Sequence, residues 1–193
     1  GAVSPAPSLN KISTNKIFKI IIKPTIDGML KEGTPFEGVL YSGLMMTNEG
    51  PKLIEFNCRL GDPETQAIIP RLNYDFFNLI SSLLNNKEIN EEKILSSNSA
   101  VTVVLANKGY PGNYKKNLVL PSLKKFKKSK EIKIFHSGTS YDSDKNLIAS
   151  GGRVLSISST GKNFDECRHQ VYQLINKINW ENGFFRKDIG KPN

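Results

Sequence analysis

Cysteine is nearly absent from the 193 residues: Cys58 and Cys167 are the two that occur. That excludes a disulfide-stapled scaffold, and a chain of this length buries roughly 70% of its unfolded surface, so a core forms without staples. No apolar run approaches the ~18 residues that span a bilayer, and no basic-plus-apolar leader opens the chain. The expectation is a reduced, cytoplasmic setting with no membrane partner. Acids are also short, 18 against 27 lysines and arginines, for a net charge of +9. Such a balance invites a nucleic-acid reading, but its distribution argues against one. Residues 115–133 hold eight lysines and the single acid Glu131, so +7 of the +9 sits in 19 residues. A solvated basic loop accounts for that patch, with attraction for anionic substrates as a secondary effect. Arginine is scarcest, 5 against 22 lysines. In so lysine-rich a composition each arginine is informative, because its planar fork is kept where bidentate contact is needed.

What is present is the composition of an ordinary globular protein, 38% hydrophobic and 23% charged. The opening Gly1-Ala2-Val3-Ser4-Pro5-Ala6-Pro7 lacks a methionine and reads as a loop at an internal beginning. Over residues 8–33, Ile12, Ile17, Ile20, Ile21, Met29 and Leu30 recur at helical spacing; Pro24 should kink this helix and Gly33 stop it. Residues 36–47 and 52–58 read as strands of a hairpin turned at Asn48-Glu49-Gly50-Pro51. A helix follows with Asp62 as N-cap and Pro63 as first residue; Pro70 interrupts it, and residues 74–86 resume it. The polar stretch 85–99 reads as a boundary between a domain over 1–95 and another over 98–193. Beyond it, residues 100–106, 132–137 and 152–158 read as strands. Asn163 with Glu166 reads as a capping box, opening a helix with Phe164, Val171, Leu174, Ile175 and Ile178 on one face. The expected class is α+β.

The segment richest in chemistry is Glu55-Phe56-Asn57-Cys58-Arg59-Leu60-Gly61-Asp62-Pro63-Glu64-Thr65. Strand alternation sends Ile54, Phe56 and Cys58 to one face, which should be the core, and Glu55, Asn57 and Arg59 to the other. Carboxylate and amide oxygens are hard ligands of the kind Mg²⁺ takes alongside phosphate oxygens, and a neighbouring guanidinium can clamp a phosphoryl group. The helix start at Asp62 would add unpaired N–H groups for an anion. The alternative is a solvated polar face on an edge hairpin, with Asp62 as a plain cap. Elsewhere, His136 reads as a hydrogen-bonded core or rim residue, His169 as surface, and neither cysteine as a nucleophile.

Residues 55–66 resemble the signature of the phosphoribosylamine–glycine ligase (glycinamide ribonucleotide synthetase) family, ATP-grasp enzymes of purine biosynthesis. Gly1-Ala2-Val3-Ser4-Pro5-Ala6-Pro7, residues 36–45, Gly109-Tyr110-Pro111-Gly112, residues 135–139, Gly151-Gly152-Arg153-Val154-Leu155 and Phe185-Arg186-Lys187-Asp188-Ile189-Gly190 are similar to that family too, in its order. Val3 stands where the family usually has tyrosine and Leu60 where it usually has phenylalanine, departures that bear on local packing. The resemblance implies an ATP-dependent ligation of glycine to 5-phosphoribosylamine through glycyl phosphate. It implies Glu55 and Asn57 as ligands of Mg²⁺ or Mn²⁺, and Asn57 with Arg59 at the nucleotide. Arg59 and Asp62 are the expected catalytic residues, with Glu64 and Thr65 bordering the glycine and amine. Arg153, and with it Arg186 and Lys187, are expected to grip the ribose phosphate; pairing of an arginine with a surface carboxylate is the alternative.

The implied architecture is the second half of an ATP-grasp domain, antiparallel sheet with helices, over 1–95, and a small β-rich C-terminal domain over 98–193. The N-terminal half of the family's length is absent, so the chain is expected to be inactive unaided and to lack tight ATP affinity. The rivals are another ATP-grasp carboxylate–amine ligase, and a non-catalytic basic RNA-binding or interaction fragment.

Overall fold

The computed structural model describes residues 1–90, 93–126 and 129–191. The chain separates into two compact units, Gly1–Ser4 with Pro63–Asn193, and Pro5–Asp62.

The smaller unit holds a helical run and a hairpin. Helix α1, Lys11–Ile17, is opened by Asn10, whose side chain accepts from the Ser13 N–H while Ser13 Oγ accepts from Asn10 N–H. The run continues through a π-helical turn at Phe18–Ile22 into α2, Lys23–Lys31. A widened turn lies directly ahead of Pro24, the residue expected to kink the run, with Lys23 N–H reaching back to Phe18 O. A π turn relaxes the crowding that a proline ring and its missing N–H create. Gly33, at φ +75°, ends the run as expected. Strands β2, Tyr41–Thr47, and β3, Gly50–Asn57, pair antiparallel. The register shifts between Gly43/Leu44, which pair with Glu55 and Leu53, so Ile54 is an extra residue in β3.

The larger unit is built on a five-stranded antiparallel sheet. Its strands are β1, Ala2–Ser4; β4, Ser99–Asn107; β6, Ile132–His136; β9, Arg153–Gly161; and β10, Gly183–Phe184. The order is β1-β4-β9-β6, with β10 also on β4. The opening residues, expected as a loop, thus form a strand: Ala2, Val3 and Ser4 pair with Thr102, Val101 and Ala100. A second sheet, β5-β8-β7, consists of Leu118–Val119, Leu147–Ala149 and Thr139–Tyr141.

Helix α5, Phe164–Ile178, covers one face of the main sheet. Val101, Val103 and Leu105 of β4 join Leu155 and Ile157 of β9 and Cys167, Val171, Ile175 and Ile178 of α5 in the core. Each such aliphatic side chain contributes roughly 1.5–3 kcal/mol on burial. Asn163 caps α5 by accepting from Glu166 N–H at 2.9 Å, but Glu166 Oε2 accepts from Lys162 N–H and so completes the cap one residue earlier than a capping box would.

The short helix α3, Glu64–Ile68, packs on β1, β4 and β9, followed by a 3₁₀ turn at Ile69–Arg71 and by α4, Phe76–Leu84. Residues on both sides of the polar stretch 85–99 therefore share one packed unit. Arg71 is buried there, donating to Ser4 Oγ at 2.5 Å and to Ser96 O at 2.7 Å. Among the described residues no helix is long and apolar enough to cross a membrane.

Candidate metal pair and phosphate grip

Period-2 alternation at the end of β3 puts Glu55 and Asn57 on one face, where Asn57 Nδ2 donates to Glu55 Oε1 at 2.9 Å. A half-turn of the amide exchanges its nitrogen for Oδ1 and leaves two oxygen donors side by side, a set suited to a hard divalent ion. Among the described residues no three His, Cys, Asp or Glu side chains gather around a point. The pair therefore fits an ion that draws its other ligands from water and phosphate, as Mg²⁺ does, rather than a closed protein cage.

Arg59 lies two residues past the end of β3, where alternation no longer sets its direction. Its Nη1 donates to Leu60 O at 3.0 Å. Two expectations at this segment are corrected. Cys58 is exposed rather than in the core, and Ile54 is 62% exposed, because a two-stranded sheet has no second layer of its own. Asp62 is not the N-cap: Pro63 occupies that place with no side-chain cap, and α3 starts at Glu64. With five residues, α3 also sums too few peptide dipoles to be a strong anion site.

In the larger unit, strand pairing gathers the other residues. β1 runs along β4 to Thr102, and β10 meets the same strand at Ala106 and Asn107, so Gly1 and the tail after Phe184 converge beside Val103 and Val104. A cavity of about 130 Å³ lies there, lined by Gly1, Val104, Ala106, Phe184, Phe185 and Arg186 among others. Helix α3, which starts at Glu64, packs on β1, β4 and β9, so Glu64, Arg153 and Arg186 stand on or beside elements that meet at β4.

Arg153 is half-buried at the start of β9, opposite Ala106. The two glycines before it have packing reasons: a Cβ on Gly152 would enter the Tyr110 ring, and Gly151 stands against Gly138 backbone. Arg186 is exposed and paired with Asp188, Nε donating to Oδ1 at 3.0 Å and Nη2 to Oδ2. The pairing alternative weighed from the sequence is therefore met at Arg186. That side-chain bond, more than any other contact, holds the Asp188 carboxyl at about 2. Lys187 and Thr65 are exposed and half-buried respectively.

Sequence reasoning missed the residues that hold the tail. Tyr172 Oη donates to Arg186 O at 2.7 Å, and Arg168 Nη2 donates to Lys187 O at 2.7 Å. Burial raises the Tyr172 pKa against the opposing charge of Arg168. Their i, i+4 spacing on α5 was the available signal. The histidines fall where they were expected: His136 is at the rim, Nδ1 3.0 Å from Thr139 Oγ1, and His169 is exposed. Of the lysine cluster, Lys127 and Lys128 lie outside the described residues.

Two family models match the chain: "Phosphoribosylglycinamide synthetase, ATP-grasp (A) domain" over residues 1–65 and "Phosphoribosylglycinamide synthetase, C domain" over residues 100–192. Phosphoribosylamine–glycine ligase of Agrobacterium fabrum is 44% identical over 190 residues, covering 98% of this chain and 44% of that protein. The crystal structure of phosphoribosylamine–glycine ligase from Thermotoga maritima superimposes with a TM-score of 0.80 at 32% identity, covering 95% of this chain and 44% of that one. The biotin carboxylase domain of Hydrogenobacter thermophilus 2-oxoglutarate carboxylase superimposes at 0.66 with 9% identity, over 95% of this chain and 39% of that one, a likeness of fold. The architecture is accordingly α+β of the ATP-grasp kind, and the chain spans less than half the length of these relatives.

Proposed function

The chain belongs to the phosphoribosylglycinamide synthetase family, and from that premise we propose that it carries the metal and phosphoryl floor of an ATP-dependent ligase joining glycine to 5-phosphoribosylamine. The observation that carries this reading is the contact of Asn57 with Glu55 on one strand face. In the proposed reaction the glycine carboxylate attacks the γ-phosphate of ATP and ADP leaves. The amine of phosphoribosylamine then displaces phosphate from glycyl phosphate, giving glycinamide ribonucleotide.

Glu55 and Asn57 would hold Mg²⁺ or Mn²⁺, which neutralises charge on the phosphate oxygens when bound. Arg59, on its short tether past the strand, would turn from the Leu60 carbonyl toward the moving phosphoryl group. Asp62, Glu64 and Thr65 would border the glycine and amine, and Arg153, Arg186 and Lys187 the ribose phosphate. The proposal assigns the rest of the nucleotide site to sequence outside these 193 residues, and it suits a cytoplasmic setting.

A Mn²⁺ titration read by paramagnetic broadening of backbone amides tests the metal pair directly. Broadening should centre on residues 55–57 and vanish in Glu55→Gln; an unchanged titration in that variant would overturn the assignment. For the activity, glycine-dependent phosphate release should be measured on the protein carrying this segment with the rest of its length. It should fall by roughly 10²–10³ in Glu55→Gln, the scale of losing one preorganised electrostatic group.

A further inference from the structure

Residues 185–191, which bear Arg186 and Lys187, follow the short strand β10 and form no helix or strand among the described residues. An exposed segment of that kind would ordinarily sample many conformations. Here three of its carbonyls, those of residues 186, 187 and 189, are met by two side chains one turn apart on α5. Tyr172 Oη donates to Arg186 O at 2.7 Å and stands 3.5 Å from Ile189 O, and Arg168 Nη2 donates to Lys187 O at 2.7 Å. The two side chains also brace each other: the Arg168 guanidinium carbon lies 4.7 Å from the centre of the Tyr172 ring. The Tyr172 ring also meets Phe185, with centroids 5.9 Å apart. The backbone of residues 185–189 is thereby tied to α5, which also packs on β4 and β9.

The side chain of Arg186 is aimed separately. Asp188 takes its Nε–H and one Nη2–H. A guanidinium has five N–H donors, so three remain for an incoming anion. Fixing backbone and side chain together removes the ordering cost that a flexible cation would meet on binding.

We propose that Tyr172 and Arg168 are positioning residues, holding the tail so that Arg186 and Lys187 stand as a preformed grip for the phosphate of a phosphoribosyl ligand. This rests on the reading of the tail as a phosphate site given above. Neither residue touches the ligand; each acts through the carbonyl it holds.

The experiment titrates the unmodified chain and three variants with ribose 5-phosphate, following backbone amide shifts at residues 185–190. Arg186→Ala tests the phosphate reading and should weaken binding roughly tenfold or more, as loss of a charged hydrogen bond does. Tyr172→Phe keeps the ring and removes the hydroxyl; Arg168→Met keeps the stem and removes the donor. Each should weaken ribose 5-phosphate by about three- to tenfold. Neither should change the binding of Mn²⁺ at Glu55 and Asn57, and in both the amides of 186–189 should gain fast motion in ¹⁵N relaxation. That gain in motion is a readout that a role in overall stability would not produce. If Tyr172→Phe and Arg168→Met bind like the unmodified chain while Arg186→Ala does not, the clamp is wrong and the phosphate grip stands. If Arg186→Ala also binds unchanged, or the unmodified chain does not shift at 185–190, the phosphate reading falls and the clamp with it.

Discussion

Arg186 and Asp188 stand two residues apart, and their pairing makes the carboxyl the more perturbed partner. Asp188 titrates at about 2, below the roughly 3.9 of an unstructured aspartate. A carboxyl whose pKa is lower in the folded chain contributes stability that is complete above the unfolded value and is lost as pH falls through the folded one. The window is therefore about pH 4 down to 2, well below neutrality, so the Arg186–Asp188 pair should be intact at every physiological pH. Carboxyl ¹³C shifts followed by NMR should place Asp188 near 2, and Arg186→Ala should return it toward the ordinary range. An unmoved titration would show that the pair does not persist in solution. The two thiols should likewise differ. Cys167 is fully buried, donates to Ser99 O at 3.3 Å, and is pushed up to about 11 chiefly by burial. Cys58 is exposed. A chromogenic disulfide reagent should titrate one thiol in the native chain and two in denaturant; two fast native thiols would contradict the burial of Cys167. At this scale the sequence told unevenly. Glu55 and Asn57 were legible because a strand repeats every two residues. Arg59 was not, because β3 stops at Asn57, and neither was the outward turn of Cys58, because nothing local says whether a strand face is covered.

Among the elements, the start of β9 shows how backbone approach places a functional side chain. Gly138 donates to Arg153 O at 2.8 Å and accepts from Ser150 and Gly151 N–H, so two chain segments touch through their main chains just before Arg153. A Cβ on Gly138 would come 2.5 Å from Gly151 Cα and 2.7 Å from Arg153 O, both backbone atoms that cannot swing aside. Gly138→Ala should cost about 1–3 kcal/mol by overpacking and should also weaken ribose 5-phosphate binding by displacing Arg153. Gly28, inside α2, has nothing within 4 Å of the corresponding position. Gly28→Ala should stabilise by about 0.5–1 kcal/mol, since the helix gains propensity and meets no obstacle. Urea unfolding of the two variants checks both signs; a neutral Gly138→Ala would mean that the segments separate readily. Long elements with strong period were readable from the sequence: β3, β4, β6, β9 and α5 lie within a few residues of where alternation or helical spacing put them, while β2 begins at Tyr41, five residues after its expected start. The misses have physical causes. β1 is a three-residue edge strand whose residues are ordered by pairing with β4, and a partner nearly 100 residues away leaves no local trace. Asp62 has the composition of a cap, but Pro63 takes the cap position and α3 begins one residue later.

For the whole molecule, the question is what a net charge of +9 does. Association with polyanions by counterion release scales with the number of phosphates neutralised, and it needs a stripe or groove that follows a backbone. The excess here is not spread that way. Residues 115–133 supply +7 of the net +9, and the rest of the chain is close to neutral. Away from that patch the charges are of mixed sign, with Asp188 paired to Arg186 and Glu64 opening a helix that packs on the strand begun by Arg153, which suits one small anion and repels a continuous one. Aromatic stacking platforms are missing from the patch as well: Phe126 is its one described aromatic ring between residues 115 and 133, and Lys125 lies over it at 5.4 Å. Binding to RNA should therefore be of the non-specific kind, with Kd no tighter than about 10⁻⁴–10⁻⁶ M at physiological salt and log K falling steeply with log salt. Replacing Lys124, Lys125, Lys130 and Lys133 by glutamine should flatten that slope by several contacts and leave ribose 5-phosphate and Mn²⁺ binding where they were. Filter binding across a salt series decides it. A salt-resistant RNA site tighter than these values would favour the nucleic-acid reading over a ligase, and loss of ribose 5-phosphate binding in the four-lysine variant would move the phosphate grip from the tail to the basic loop.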